Sequence, residues 1–214
     1  MRVVANEFMS LDGVVQAPGG PDEDTDGGFT HGGWSAPYFD PEVMGAMISD
    51  GMITVEALLL GRRTWQAMAA AWPDRGGDPY ADQMNSIKKY VASRTLTSDD
   101  LTWNNTTLLS PEHTIADIAA LRSQGGGDLL IWGSASLVMV LLAEGLVDEL
   151  NVMIEPILLG GGKRIFPDDG TARPMQLVTC VTAATGVQVC KYRPSALANE
   201  HSDRRHHPVE AHGE

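Results

Sequence analysis

The chain has 214 residues, enough for one sizeable domain, and its 43% hydrophobic and 20% charged residues match a soluble globular protein. Fifteen Lys and Arg against 28 Asp and Glu leave a formal net charge of −13, and no basic patch is visible, since Lys88-Lys89 and Arg204-Arg205 are only pairs. That balance argues against nucleic acid or an anionic membrane as partner.

The first strand is expected over Arg2–Phe8, where Asn6-Glu7 interrupts the apolar start that a secretory segment would need, so the expected compartment is the cytoplasm. A long loop follows from Gln16 to Phe39, rich in Gly and Pro, with the acidic run Asp22-Glu23-Asp24-Thr25-Asp26, read as solvated, and the aromatic end Trp34-Ser35-Ala36-Pro37-Tyr38-Phe39. Such a loop inside a compact domain is usually functional or disordered, and its aromatic end suggests a lid or pocket wall. Asp40-Pro41-Glu42 is a helix-start signal, and Val43, Met44, Met47 and Ile48 then recur at helical spacing towards Gly51. Strands Ala57–Leu60, Lys89–Ala92, Thr106–Leu109, Asp128–Trp132 and Glu149–Leu158 follow, interleaved with helices Arg63–Ala71, Tyr80–Ile87, Thr114–Ser123 and Ser136–Glu144. The longest apolar stretch, Leu137 to Ala143, is a core helix too short to span a bilayer. Strands Gln176–Thr182 and Val187–Tyr192 have no helix between them and should form an antiparallel hairpin. Strands alternating with helices predict an α/β three-layer domain around a mainly parallel sheet.

Residues 1–193 are read as that domain and 194–214, with four of the six histidines, as a disordered tail. Cys180 and Cys190 face each other if the hairpin forms, and are expected to be reduced; no metal-ligand spacing occurs.

Ligands of parallel sheets bind beyond the carboxyl ends of the strands. Two such turns have the composition for an anion. One is Gly61-Arg62-Arg63-Thr64, the other Gly133-Ser134-Ala135-Ser136-Leu137. Each offers glycine, hydroxyls and the free amides of a helix start, and the first adds two arginines. Singly, each also fits an ordinary capped helix; together they suggest two phosphate grips for a dinucleotide. The three-glycine Rossmann pattern is absent. Gly160-Gly161-Gly162-Lys163 fails as a nucleotide phosphate loop because Arg164 and Ile157 stand where a hydroxyl residue and the first glycine belong.

The ordered set Ser10-Leu11-Asp12-Gly13, Leu60-Gly61-Arg62-Arg63-Thr64-Trp65, Val91-Ala92-Ser93-Arg94, Gly133-Ser134, Val147-Asp148-Glu149-Leu150 and Pro156 to Lys163 resembles the dihydrofolate reductase superfamily. Within it the chain is similar to the reductase domain of the bifunctional riboflavin-biosynthesis deaminase-reductase and its stand-alone relatives. The likeness runs from Met1 to about Tyr192. It implies an eight-stranded, mostly parallel mixed sheet, a homodimer and NADPH as cofactor, with neither flavin nor metal. By position it implies Gly61, Arg62, Arg63 and Thr64 for the pyrophosphate and adenosine side of the cofactor. Ser93 and Arg94, with Arg62 or Arg63, fall to the 2′-phosphate, and Gly133, Ser134, Ala135, Ser136 and Leu137 to the pyrophosphate.

The resemblance further places Asp12 beside the nicotinamide. Asp40 stands one residue later than the carboxylate of the folate reductases' Trp-x-x-Pro-x-acid pattern, and folate reductases carry a Gly-Gly pair where this chain has Gly133-Ser134. Asp12 and Asp40 are the two acid candidates, Asp40 alternatively a helix cap. Trp34, Tyr38 and Phe39 are candidates to stack on a flat ring, and Lys163 and Arg164 to meet a substrate phosphate. The expected activity is reduction of a pteridine or ribosylaminopyrimidine; the alternative is a non-catalytic NADP-binding module acting through a partner.

Overall fold

A computed structural model describes residues 1–195. Strands β1 (Arg2–Ser10), β2 (Val55–Gly61), β3 (Lys88–Ala92), β4 (Thr106–Leu108), β5 (Asp128–Trp132), β6 (Glu149–Glu155), β7 (Met175–Thr182) and β8 (Gln188–Pro194) form one sheet in the order β4-β3-β2-β5-β1-β6-β8-β7. Neighbours from β4 to β6 are parallel; β8 runs antiparallel to both β6 and β7. This is the mostly parallel mixed sheet with a C-terminal hairpin, a dihydrofolate-reductase-like fold.

The middle strands are buried on both faces. Ala57 to Leu60 and Asp128 to Trp132 are all buried, which is why they read as continuous apolar runs without alternation. Adjacent residues nonetheless diverge. Val3, Ala5, Leu59 and Ile131 pack with Ile118 of α4 (Thr114–Ser123) and Leu141 of α5 (Ala135–Ala143). Val4, Leu58, Leu60 and Leu130 pack with Met44 of α1 (Val43–Ile53), Trp65 of α2 (Arg62–Ala71) and Met84 of α3 (Pro79–Ser86). The two-residue period of a strand thus builds both cores of the three-layer domain.

Most boundaries shift by one or two residues from the sequence reading, and three of the differences have a clear cause. Strand β6 ends at Glu155 because Pro156 has no N–H for the ladder. Helix α1 begins at Val43, three residues past Asp40. Strand β8 carries Pro194 opposite Met175, and the Ser195 amide donates to Pro174 O at 2.9 Å, so the hairpin reaches past residue 193. The rest of the expected tail, with its histidines, lies outside the described residues.

Lys89 is fully buried in β3. Its Nζ donates to Ile87 O (2.8 Å), Asn85 O (3.0 Å) and Asn104 O (3.2 Å) and sits 4.3 Å from the centre of the Trp103 ring. Burial pulls its pKa down to about 8. Among the described residues no helix is long and apolar enough to cross a membrane, and no three or more His, Cys, Asp or Glu side chains come together as a metal site would need.

Candidate functional site

Strands β2 and β5 are neighbours, so the turns that leave them open side by side. The Gly61 amide donates to Ser134 Oγ at 2.9 Å, and a Cβ on Gly133 would stand 3.7 Å from the Thr64 side chain. Gly133 (φ 56°) and Ser134 (φ 63°) are consecutive left-handed residues. That conformation disfavours a serine, and the Ser134 hydroxyl, receiving Gly61 N–H, is what ties the turn to its neighbour. The amides that open α2 and α5, those of Arg62 and Arg63 and of Ala135 and Ser136, have no acceptor within their own helices, and the positive helix ends add to their attraction for an anion. Gly61, Arg62, Arg63 and Thr64 therefore meet Gly133, Ser134, Ala135, Ser136 and Leu137 in one place. No peptide bond among the described residues is cis.

Ser93 and Arg94 follow β3, one strand further out. Ser93 is buried, and its Oγ accepts from the Thr95 and Leu96 amides at 3.1 and 2.9 Å. Its hydroxyl closes a turn, and the exposed Arg94 is left as the group free to reach a phosphate. Arg62 is half-buried and donates to Gln66 Oε1 at 3.2 Å.

The acidic run is not the solvated segment expected of it. Asp24 and Asp26 both contact Arg63 and Lys163: Arg63 Nη1 lies 3.1 Å from Asp24 Oδ1 and also pairs with Asp26, while Lys163 Nζ reaches Asp24 and, at 2.9 Å, Asp26. These contacts hold the Asp26 carboxyl below its usual range, Lys163 first and then Arg63. Two carboxylates thus lie on the cations expected to meet phosphates. Lys163 is held by the loop rather than free for a substrate. Behind this clasp lies a cavity of about 450 Å³ lined by Gln16, Phe29, His31, Leu159, Gly161 and Lys163. Gly162 (φ 135°) makes that packing possible, because a Cβ there would come within 2.5 Å of Val14.

Neither expected acid is available to give a proton. Asp12 Oδ1 accepts from Ser10 Oγ (2.6 Å) and Leu159 N (3.1 Å), and Oδ2 from Gly160 N (2.8 Å). The Ser10 hydroxyl first, then these amides, hold its pKa near 2. Arg164 joins the same knot, Nε donating to Asp12 O at 3.1 Å. Asp12 is the pin that fastens the glycine loop to the end of β1. Asp40 Oδ1 accepts from the Glu42 and Val43 amides, at 2.9 and 3.0 Å, and Oδ2 from Ala184 N at 3.1 Å. The Val43 amide is the main reason its carboxyl titrates below the usual range, and its cap role prevails. Trp34 is buried, with Nε1 donating to Gln16 O at 2.7 Å, so it packs the loop instead of presenting a face. Tyr38 is half-buried and Phe39 exposed.

Sequence reasoning passed over two carboxyls. Glu155, the last residue of β6, has no exposed surface. Ser35 Oγ donates to its Oε1 at 2.6 Å, and its Oε2 is buried with no hydrogen-bond partner. Burial lifts its pKa to about 7 against the pull of the Ser35 hydroxyl. Glu7 of β1 is likewise buried with an unpartnered Oε1, and burial raises its pKa strongly. The available signal was an acid set inside an apolar strand, which the strand reading absorbed.

The profile of the RibD C-terminal domain family matches residues 1–189. The uncharacterized protein YyaP of Bacillus subtilis (strain 168) is 27% identical over 191 residues, covering 87% of this chain and 91% of its own length. Among solved structures, a Shewanella sp. PV-4 protein named for riboflavin biosynthesis superposes with a TM-score of 0.68 at 20% identity, covering 91% of this chain and 99% of the other. A pyrimidine reductase-like protein from Corynebacterium diphtheriae gives 0.59 at 16% identity, with 91% and 92% covered. Dihydrofolate reductase from Enterococcus faecalis, solved with NADP(H), gives 0.55 at 15% identity, with 91% and 96% covered. At these identities the structural likenesses establish the fold.

Proposed function

Because the chain belongs to the RibD C-terminal domain family, we propose that it is an NADPH-dependent reductase of a small heterocycle of pteridine or ribosylaminopyrimidine type. The observation that carries this reading is the contact between the turns after β2 and β5, where Gly61 N meets Ser134 Oγ at 2.9 Å. It brings two helix starts and Arg62 and Arg63 together, with Arg94 at the end of the adjoining strand β3, and this donor set fits a pyrophosphate with a further phosphate beside it. The E. faecalis dihydrofolate reductase, solved with NADP(H), has the same fold.

A reduced nicotinamide supplies hydride, and the protein supplies binding, orientation and a proton. In this chain the amides of Arg62 to Thr64 and of Ala135 and Ser136 would hold the pyrophosphate, while those of Gly61, Gly133 and Leu137 are taken by Ser134 Oγ, Asn6 O and Ser134 O and shape the two turns. Arg94 and Arg62 would hold the 2′-phosphate, for which a planar, permanent cation is suited. Arg63 becomes available once Asp24 and Asp26 release it. Asp12 keeps the glycine loop against β1, and Tyr38 and Phe39 stand at the rim for a flat ring. The expected thermal-shift result is protection by NADPH well beyond NADH, with Arg94→Ala weakening NADPH about tenfold or more and NADH little. Equal protection by the two nucleotides would overturn the arginine assignment.

The engagement of both Asp12 and Asp40 favours one competing reading, an NADP-binding module without turnover. Such a protein would be protected by NADPH yet oxidise none with any pteridine or aminopyrimidine. The exposed Leu177, Val178 and Val181 on edge strand β7 suit pairing with a second copy, and a monomer in sedimentation would exclude it. The free thiols of Cys180 and Cys190, 2.9 Å apart, fit a reducing compartment such as the cytoplasm; a disulfide in protein isolated from cells would count against it.

A further inference from the structure

We propose that Glu155 is the acid of this site, holding on Oε2 the proton that passes to the nitrogen or oxygen of the bond being reduced. The inference deepens the reductase reading and rests on it.

Its first support is position. Glu155 pairs in register with Ser10 of β1, two residues before Asp12, at the carboxyl edge of the sheet where the turns after β2 and β5 also open. Alternation along β6 puts it on the Met153 side, the face covered by α1, α2 and α3. The Trp34-Ser35 segment of the long loop closes over it through the 2.6 Å bond from Ser35 Oγ.

The second support is the orphaned oxygen. A carboxylate buried with no cation beside it is costly, so burial favours the protonated form of Glu155. A neutral carboxyl has an O–H to donate, and no group among the described residues accepts from Oε2. The nitrogen of a C=N bond or the oxygen of a C=O bond offers the missing acceptor. Asp12 and Asp40 have both oxygens engaged by donors. Glu7 is buried but lies on the opposite face, with Ala5 and Met9. A pKa near 7 suits a group that must be protonated before the step and ionised after it. Burial and the Ser35 hydroxyl set that value, and no charged neighbour from β1, α1 or the β7–β8 turn acts on it.

The step balances. Hydride from the reduced nicotinamide ends on the substrate carbon, and the Oε2 proton goes to nitrogen or oxygen. C=N becomes CH–NH, or C=O becomes CH–OH. The Glu155 carboxylate left behind regains a proton from solvent while the loop is lifted, and the Ser35 hydrogen bond forms again when the loop closes. Access to Oε2 requires that lifting, because the side chain is wholly covered.

The test combines infrared titration of the full chain with NADPH binding and turnover. Wild type is expected to show a protonated-carboxyl band that vanishes with a midpoint near pH 7. Glu155→Gln should lose it and Glu7→Gln should keep it. Ser35→Ala, removing a bond that favours the ionised form, should move the midpoint upward. With 7,8-dihydropterin and a panel of aminopyrimidines, Glu155→Gln should slow NADPH oxidation by roughly 100-fold or more. Its NADPH affinity should stay within about twofold of wild type, since Glu155 is not part of the phosphate grip. Turnover by Glu155→Gln at the wild-type rate and pH profile, or the absence of a Glu155 band, overturns the inference and leaves the reductase reading standing. If wild type binds NADPH but reduces none of the panel, the binding-module reading prevails and this inference falls with the activity.

Discussion

The clasp of Asp24 and Asp26 on Arg63 and Lys163 leads to a counter-intuitive expectation, that removing a contact with an arginine proposed to meet the cofactor improves cofactor binding. Asp24→Asn keeps the side chain's size and removes one charge from the pairs with Arg63 (3.1 Å) and Lys163. Partly exposed ion pairs are each worth roughly 0.2–1 kcal/mol, so the two together restrain the loop by about 1 kcal/mol. If the cofactor's pyrophosphate must take Arg63 from that carboxylate, NADPH should bind about fivefold more tightly to the variant. NADH should gain as much, because both nucleotides carry the pyrophosphate. Fluorescence titration of the nucleotide at low and high ionic strength reads this directly. The gain should shrink with salt, as the Debye length falls from about 10 Å at 0.1 M to about 3 Å at 1 M. Unchanged affinity would mean the loop does not cover the phosphate site. Weaker affinity would mean Asp24 orients the two cations for the ligand, and would refute the competition reasoning.

Two expectations concern stability. Lys89→Met leaves the carbonyls of Asn85, Ile87 and Asn104 without their donor and should destabilise the fold by about 2 kcal/mol in urea denaturation; an unchanged midpoint would show that the amine is dispensable. Because the folded pKa of Lys89, about 8, lies below its ordinary 10.5, the unfolded chain binds more proton between those values. Wild-type stability should therefore gain from Lys89 as pH rises through that window, and the variant should lack that gain. Asp12 has the opposite sense. Its folded pKa near 2 lies below the ordinary 3.8, so its contribution is complete above about pH 4 and disappears as pH falls towards 2. Asp12→Ala should flatten that part of the acid denaturation curve and open residues 159–164 to proteolysis, and a variant with wild-type acid behaviour would show that the Ser10, Leu159 and Gly160 bonds do not fasten the loop.

The order of elements, the three layers and the two glycine turns were all legible in the residues. Their causes are local: two-residue and helical periodicities, helix-start chemistry at Asp40, and glycine where the chain turns after β2 and β5. The hairpin was legible for the same reason, since two apolar strands flank Ala183 to Gly186 without room for a helix. The roles of the acids belong to the fold. Asp12 and Asp40 are short carboxylates near the ends of elements: Ser10 and the Glu42 and Val43 amides engage one oxygen of each locally, as the cap reading of Asp40 expects, and Gly160 and Ala184, each about 145 residues away in the chain, close on the other. Asp24 reads as solvated until a loop of this length bends back onto Arg63 and Lys163. Glu155 looks like any strand residue, because the quantity that matters, the burial of an unpartnered oxygen, is a sum over everything packed around it. Periodicity is written residue by residue and survives in one dimension. Desolvation and ion pairing depend on which distant groups arrive, and only the folded chain decides that.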